Sequence, residues 1–160
     1  MFDMKKIIPF LWFDHQAEEA VNFYVSIFKN SRVLKTTLYM KEAVEVSGKP
    51  EGSVMTVEFQ LNGHDFIALN GGPEFIFTPA ISFVVNCENQ QEVDELWERL
   101  SNGGEEQQCG WVQDKYGVSW QIVPEELDDL LNDPDKEKAG RVMKAMLSMN
   151  KIEIEALRRA

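Results

Sequence analysis

The sequence predicts an α+β protein made of one βαβββ module written twice and followed by a helical extension. Three observations predict it. Two amphipathic helices carry matching apolar stripes, Ala20, Phe23, Tyr24, Ile27 and Val93, Leu96, Trp97, Leu100, each member 73 residues from its counterpart. Each stripe has the i, i+3, i+4, i+7 spacing of a single helical face. A strand-like run precedes each helix, and strand-like runs punctuated by turn residues follow it.

The first module, about residues 5–72, opens with "IIPFLWF" (7–13), read as a buried strand broken by Asp14 and His15. The helix "AEEAVNFYVSIF" follows. Strands are expected at 32–40, 53–61 and 65–70, the last two joined by Asn62-Gly63-His64, a tight-turn signal. The second module, about 78–124, repeats the order. Its strand lies at 80–86 and its helix is "QQEVDELWERL". Asn102-Gly103-Gly104 ends that helix in the manner of a glycine cap. Strands are expected at "EEQQC", "WVQ" and "VSWQIV", the last pair flanking the Asp114-Lys115-Tyr116-Gly117 turn. A duplicated unit that cannot bury its own sheet face implies two halves of one domain, residues 1–125. The remainder, 126–160, reads as a helical extension of the same domain. Asp133-Pro134 suits a helix start, and Val142, Met143, Met146 and Leu147 form one stripe.

Composition excludes several functions. A net charge of −11 repels phosphate backbones, so no nucleic-acid partner is expected. No apolar run reaches the roughly 18 residues of a membrane span. The apolar stretch after Lys5-Lys6 is short, is cut by Pro9, and lacks a small-residue cleavage site. A cytoplasmic protein without a membrane partner is therefore expected. Cys87 and Cys109 match no zinc spacing and are read as free thiols. There is no P-loop, and the glycine pairs at 71–72 and 103–104 lack the dinucleotide-binding spacing.

The runs "PFLWFDHQAEEAVNFYVSIF", "GSVMTVEFQLNGHDFIALNGGP", "ISFVVNCENQQEVDELWERLSNGGEE" and "CGWVQDKYGVSWQIVP" together resemble the PhnB-like proteins. These carry the label of a 3-demethylubiquinone-9 3-methyltransferase domain, within the glyoxalase/bleomycin-resistance/extradiol-dioxygenase (vicinal oxygen chelate) superfamily. The resemblance covers about residues 5–125. It implies two modules forming a curved, cup-like sheet. In metal-dependent members it also implies four ligands, on the first and last strand of each half. Counting from the helices and turn glycines puts those positions at Pro9 (or Ile7), at Ser82 (or Val84), within Phe66–Asn70, and at Gln121. None is His, Asp or Glu, and the two histidines, His15 and His64, lie elsewhere. No metal and no cofactor are therefore expected.

The candidate pocket residues are Pro9, Glu58, Asn70, Ser82, Cys109, Trp111 and Gln121; no catalytic residue is assigned. Gln121 and Ser82 are either ligand-binding groups or satisfied polar residues of the core. Cys109 near Lys115 is either a nucleophile or a small buried apolar residue. Glu58 is either a general base in the cup or a solvated acid. Asn70 opens Asn-Gly-Gly-Pro (70–73), either a close approach of backbone to ligand or a linker turn. Strand alternation places Trp12 and Trp120 under the helices, opposite Pro9 and Gln121, and leaves Trp111 the better claim on the pocket. Met143, Met146 and Met149 form either a flexible lid or a packed stripe. The expected function is metal-independent small-molecule binding by a homodimer. The competing readings are an enzyme of the superfamily (a metal-assisted lyase, isomerase or dioxygenase), the methyltransferase of the family label, and a dimerising scaffold.

Overall fold

A computed structural model describes residues 7–160, and the chain forms two compact units, Met1–Ile76 and Phe77–Ala160. In the first unit, β1 (Phe10–Phe13), α1 (Ala17–Ile27), β2 (Arg32–Leu38), α2 (Lys41–Ser47), β3 (Val54–Leu61) and β4 (His64–Asn70) follow in order. The strands form one sheet in the order β1-β4-β3-β2. β1 runs parallel to β4, and the remaining pairs are antiparallel. The second unit holds β5 (Ser82–Cys87), α3 (Gln90–Ser101), β6 (Glu105–Glu106), β7 (Trp111–Gln113) and β8 (Ser119–Pro124). Its sheet order, β5-β8-β7-β6, repeats the first. The helices α4 (Glu126–Leu131), α5 (Lys136–Leu147) and α6 (Ile154–Arg158) complete it. Both sheets are open and mixed, and the fold is α+β.

Each helix packs on one sheet face because strand side chains alternate. In the first unit Ala20, Val21, Tyr24 and Ile27 of α1 are buried, as are Leu11, Phe13, Val57, Phe59 and Ala68 of the strands. In the second, Val93, Leu96, Trp97 and Leu100 are buried with Val112, Trp120 and Ile122. Burying each such aliphatic side chain stabilises the fold by about 1.5–3 kcal/mol. Turn chemistry sets the registers. Asn62 and Gly63 both adopt positive φ, the geometry that a two-residue hairpin turn demands. Gly117 has φ +91°, and its N–H donates to Asp114 O at 2.9 Å.

Several boundaries differ from the sequence reading. β1 begins at Phe10, not Ile7: Pro9 has no N–H to donate, although its carbonyl accepts from Ile67 N at 3.0 Å. The run 32–40 is a strand only to Leu38; Met40 then starts the unexpected helix α2, which ends at Gly48 in the left-handed region. "EEQQC" pairs only at Glu105–Glu106. Cys109 (φ +58°) and Gly110 (φ +82°) turn the chain, and their N–H groups donate to Met149 O and Asn150 O instead of to a strand. The start of α5 is capped by Asp135, whose carboxylate accepts from Glu137 N and Lys138 N, two residues past the expected Asp133. The α5 stripe is half realised. Val142 is fully buried and Met146 is half-buried, while Met143 and Leu147 are exposed.

The extension is tied into the second unit. Leu127, Val142, Ile152 and Leu157 form a buried cluster, and Val123 of β8 packs against it. The Gln90 side chain donates to Ile152 O at 3.0 Å and accepts from Ile154 N at 2.8 Å, which joins the last segment to the start of α3. The Arg158 guanidinium grips both carboxylate oxygens of Glu126, each at 2.6 Å. No helix of the described residues is long and apolar enough to cross a membrane.

Candidate functional site

The hairpin of β7 and β8 positions the site. Asp114 holds its turn: one carboxylate oxygen accepts from Tyr116 N at 2.8 Å and Val118 N at 3.0 Å. The other accepts from Trp120 Nε1 at 2.9 Å. This fixes β8 so that Trp120 lies on the α3 side, its ring 5.4 Å from that of Phe83. Gln121 then projects from the far face. On that face the pairing sets Val84, Gln121 and Trp111 level with one another, and Ser82, Ser119 and Gln113 in the adjacent row. Gln121 Nε2 donates to Ser82 Oγ at 2.9 Å. The structure thus brings together three of the sequence candidates, Ser82, Trp111 and Gln121.

It adds one residue that sequence reasoning missed. Ser119 is 1% exposed, and its hydroxyl has no hydrogen-bond partner among the described residues. The signal was available, since Ser119 lies two residues before Gln121 and so shares its face.

Cys109 stands in the turn ahead of Trp111, half-buried and in the left-handed region. Cys87, read as following its strand, is instead the last residue of β5 and is fully buried. Burial, with the Glu92 carboxylate nearby, pushes its thiol up to about 12. That disfavours the thiolate a nucleophile needs.

The other candidates belong to the first unit. Glu58 lies on the sheet face opposite α1, level with Ile67 and Lys35, and pairs with Lys35 Nζ at 3.5 Å. Asn70 lies on the α1 side, and its side chain is fully committed. Its Oδ1 accepts from Ala17 N at 2.8 Å, starting α1, and its Nδ2 donates to Glu18 Oε1 and Val54 O. It is a structural cap. Pro9 is exposed just ahead of β1, on the parity of Leu11 and Phe13.

Two assignments require correction. Trp12 does not pack under α1. It shares the opposite face with Phe10 and Glu58, where its indole N–H donates to Gly72 O at 2.9 Å and its ring meets Phe75 edge-on. Nor is Pro9 the counterpart of Ser82. The residues level with the position four after each turn glycine are Phe10, opposite Ile67, and Val84, opposite Gln121. The cause is a turn length. Residues 14–16 separate β1 from α1, whereas only 88–89 separate β5 from α3. Helix counterparts are therefore 73 residues apart and strand counterparts 74, so a count made from the helices slips by one.

The family resemblance implies that metal-dependent members carry ligands at these four strand positions. Here they hold Phe10, Ile67, Val84 and Gln121, three of them hydrocarbon side chains and the fourth a neutral amide. Divalent-ion sites need several imidazole, carboxylate or thiolate donors. The described residues contain no group of three His, Cys, Asp or Glu able to hold an ion. These residues do not fit a metal.

Comparison with known proteins places the chain. Residues 5–123 match the family model described as 3-demethylubiquinone-9 3-methyltransferase. A PhnB protein from Bacillus cereus is 36% identical with a TM-score of 0.66, over 75% of this chain and 99% of that one. A protein from Staphylococcus aureus is 31% identical, over 78% of this chain and 100% of that one, with a TM-score of 0.35. A Pseudomonas aeruginosa protein, 20% identical with a TM-score of 0.56 over 76% of this chain and 98% of that one, shares the fold. No curated protein matches. The chain belongs to the PhnB-like 3-demethylubiquinone-9 3-methyltransferase family.

Proposed function

We propose that this PhnB-like protein is a metal-independent small-molecule-binding protein that works as a homodimer, with its ligand seated on the far face of the second sheet. The observation that carries the reading is the Gln121–Ser82 hydrogen bond beside Trp111, at the strand position where metal-dependent relatives hold a ligand. An amide and a hydroxyl there, next to an indole, suit recognition by hydrogen bonding and ring contact. The methyl-transfer reading has less support. The strand-to-helix turns, Asp14-His15-Gln16 and Glu88-Asn89, hold no glycine-rich loop for a nucleotide-like methyl donor.

The test is elemental analysis of tag-free protein, joined to denaturing mass spectrometry for a co-purified molecule. Metal well below one equivalent per chain is expected. So is a rise in melting temperature with an added ligand, following RT ln(1 + [L]/Kd). Zinc, nickel, iron or manganese near one equivalent, lost in Gln121→Leu, would overturn the reading.

A further inference from the structure

We infer that the Ser82–Ser119–Gln121 group is a subsite for an uncharged oxygen, the carbonyl or hydroxyl of a neutral planar molecule whose ring lies against Trp111. The inference rests on the ligand-binding reading above and names the ligand's chemistry.

The first support is Ser119. Its hydroxyl is buried and unpartnered among the described residues. A buried polar group without a partner costs free energy, so such groups are rare unless something else completes them. Its neighbours on the face do not. The Gln121 amide donates to Ser82 Oγ rather than to Ser119, and Gln113 Nε2 reaches only the turn carbonyl of Gly117, at 3.4 Å.

The second support is the donor inventory. Ser82 Oγ accepts from Gln121, which leaves its own proton available. Ser119 offers another, and Gln121 Oε1 remains an acceptor. Two hydroxyl donors and one amide oxygen match a carbonyl, which accepts twice, or a hydroxyl, which accepts and donates.

The third support is charge. The strand residues of this face are Ser82, Val84, Asn86, Glu105, Trp111, Gln113, Ser119, Gln121 and Val123, and none is cationic. A carboxylate or phosphate held at the buried Ser119 hydroxyl would find no counter-charge among these strand residues, and burying an unpaired charge is costly. The group therefore selects a neutral oxygen. Trp111, level with Gln121, supplies an aromatic surface for the rest of the molecule.

The experiment uses two probes of equal shape and different charge, acetophenone and benzoate, titrated into the full-length protein. The readout is the Gln121 side-chain amide signal in nitrogen-15 NMR, assigned by its loss in Gln121→Leu. Acetophenone is expected to shift the signal, and benzoate to bind at least about 10-fold more weakly. Ser119→Ala is expected to weaken acetophenone binding about 3- to 10-fold, the loss of one hydrogen bond. The same variant should melt no lower than the parent, because it removes an unpaired buried hydroxyl. A lower melting temperature for Ser119→Ala would show a hydroxyl already satisfied in the free protein and overturn the inference. Equal acetophenone affinity in parent and variant, or tighter binding of benzoate, would overturn it and leave the ligand-binding reading intact. No shift of the Gln121 signal with either probe would overturn the inference, while the ligand-binding reading is decided by the metal content and the co-purified molecule.

Discussion

Trp120 donates its indole N–H to Asp114 Oδ2 at 2.9 Å, across the turn that the same aspartate holds with its other oxygen. One buried carboxylate thus fixes both the turn and the direction of β8. Trp120→Ala deletes a large buried side chain and is expected to cost about 3–5 kcal/mol. Asp114→Ala strands three donors and is expected to cost about 2–4 kcal/mol. Gln121→Ala, one residue along but on the far face, should cost about 1 kcal/mol or less, because it removes one half-buried hydrogen bond. Urea unfolding of the three variants checks the ordering. A Gln121 variant as damaging as Trp120→Ala would contradict the face assignment.

Gly71 makes a second, purely steric prediction. A Cβ at this position would lie 2.3 Å from Trp12 Cε2, in steric overlap with the indole ring. Gly71→Ala must displace Trp12 and the hydrogen bond it makes to Gly72 O. A loss of about 1–3 kcal/mol is expected, the usual cost of overpacking. The check is a thermal melt, accompanied by a change in tryptophan emission. An unchanged melt would show that the indole moves aside freely.

These two hairpin and turn sites mark where the sequence was and was not readable. The helix stripes and the turn glycines were legible because period 3.6 and positive φ leave residue-type signatures. From Gly117 alone, alternation placed Gln121 and Trp120 on their correct faces. It failed at Trp12, because that face was inferred by counting from helices joined to their strands by turns of unequal length. The helix α2 was missed because Val44 and Val46 weaken its propensity, although Gly48 was a stop signal in plain view. Asn70 was legible as polar but not as a cap. Its partners, Ala17, Glu18 and Val54, are distant in sequence, and only the fold brings them near.

The two cysteines are expected to react differently. Cys87 is buried, and its thiol is pushed up to about 12, chiefly by that burial. At pH 8 it is almost entirely protonated and shielded. Cys109 is only half-buried. Iodoacetamide at pH 8 should therefore modify Cys109 in the native protein and Cys87 only after unfolding. Peptide mapping reads the site, and native labelling of Cys87 ahead of Cys109 would contradict the structure.

Acid should loosen the second unit before the first. Hydrogen bonds from Arg158 hold the Glu126 carboxyl below its usual range, and Lys151 does the same for Asp94. A depressed carboxylate contributes stability that is full above its unfolded value, about 4 for these groups, and lost as pH falls through the lower folded value. Both pairs are largely solvated, so the effect is small. The melting temperature should be flat from pH 8 to about 5 and decline below about 4. Glu126→Gln should lower the plateau slightly and flatten the decline. A decline as steep in Glu126→Gln as in the parent would assign acid sensitivity elsewhere.

The last prediction concerns the extension, which lies wholly beyond the matched family region, residues 5–123. Val142, Ile152 and Leu157 are fully or almost fully buried against Leu127, and Val123 closes the cluster from β8. Met149 O and Asn150 O also accept from the N–H groups of Cys109 and Gly110 in the turn leading to Trp111. Deleting residues 135–160 would uncover Leu127 and Val123 and strip both N–H groups of their partners. Each exposed aliphatic side chain forfeits about 1.5–3 kcal/mol of burial, so a drop of many degrees in melting temperature is expected. Light scattering on the same samples reads a separate property. The full chain is expected at the mass of a homodimer. If truncation lowers the melt and leaves the dimer, the extension stabilises the second unit and the contact between copies lies elsewhere. A truncated chain that melts with the parent would show that the buried cluster contributes nothing to the fold.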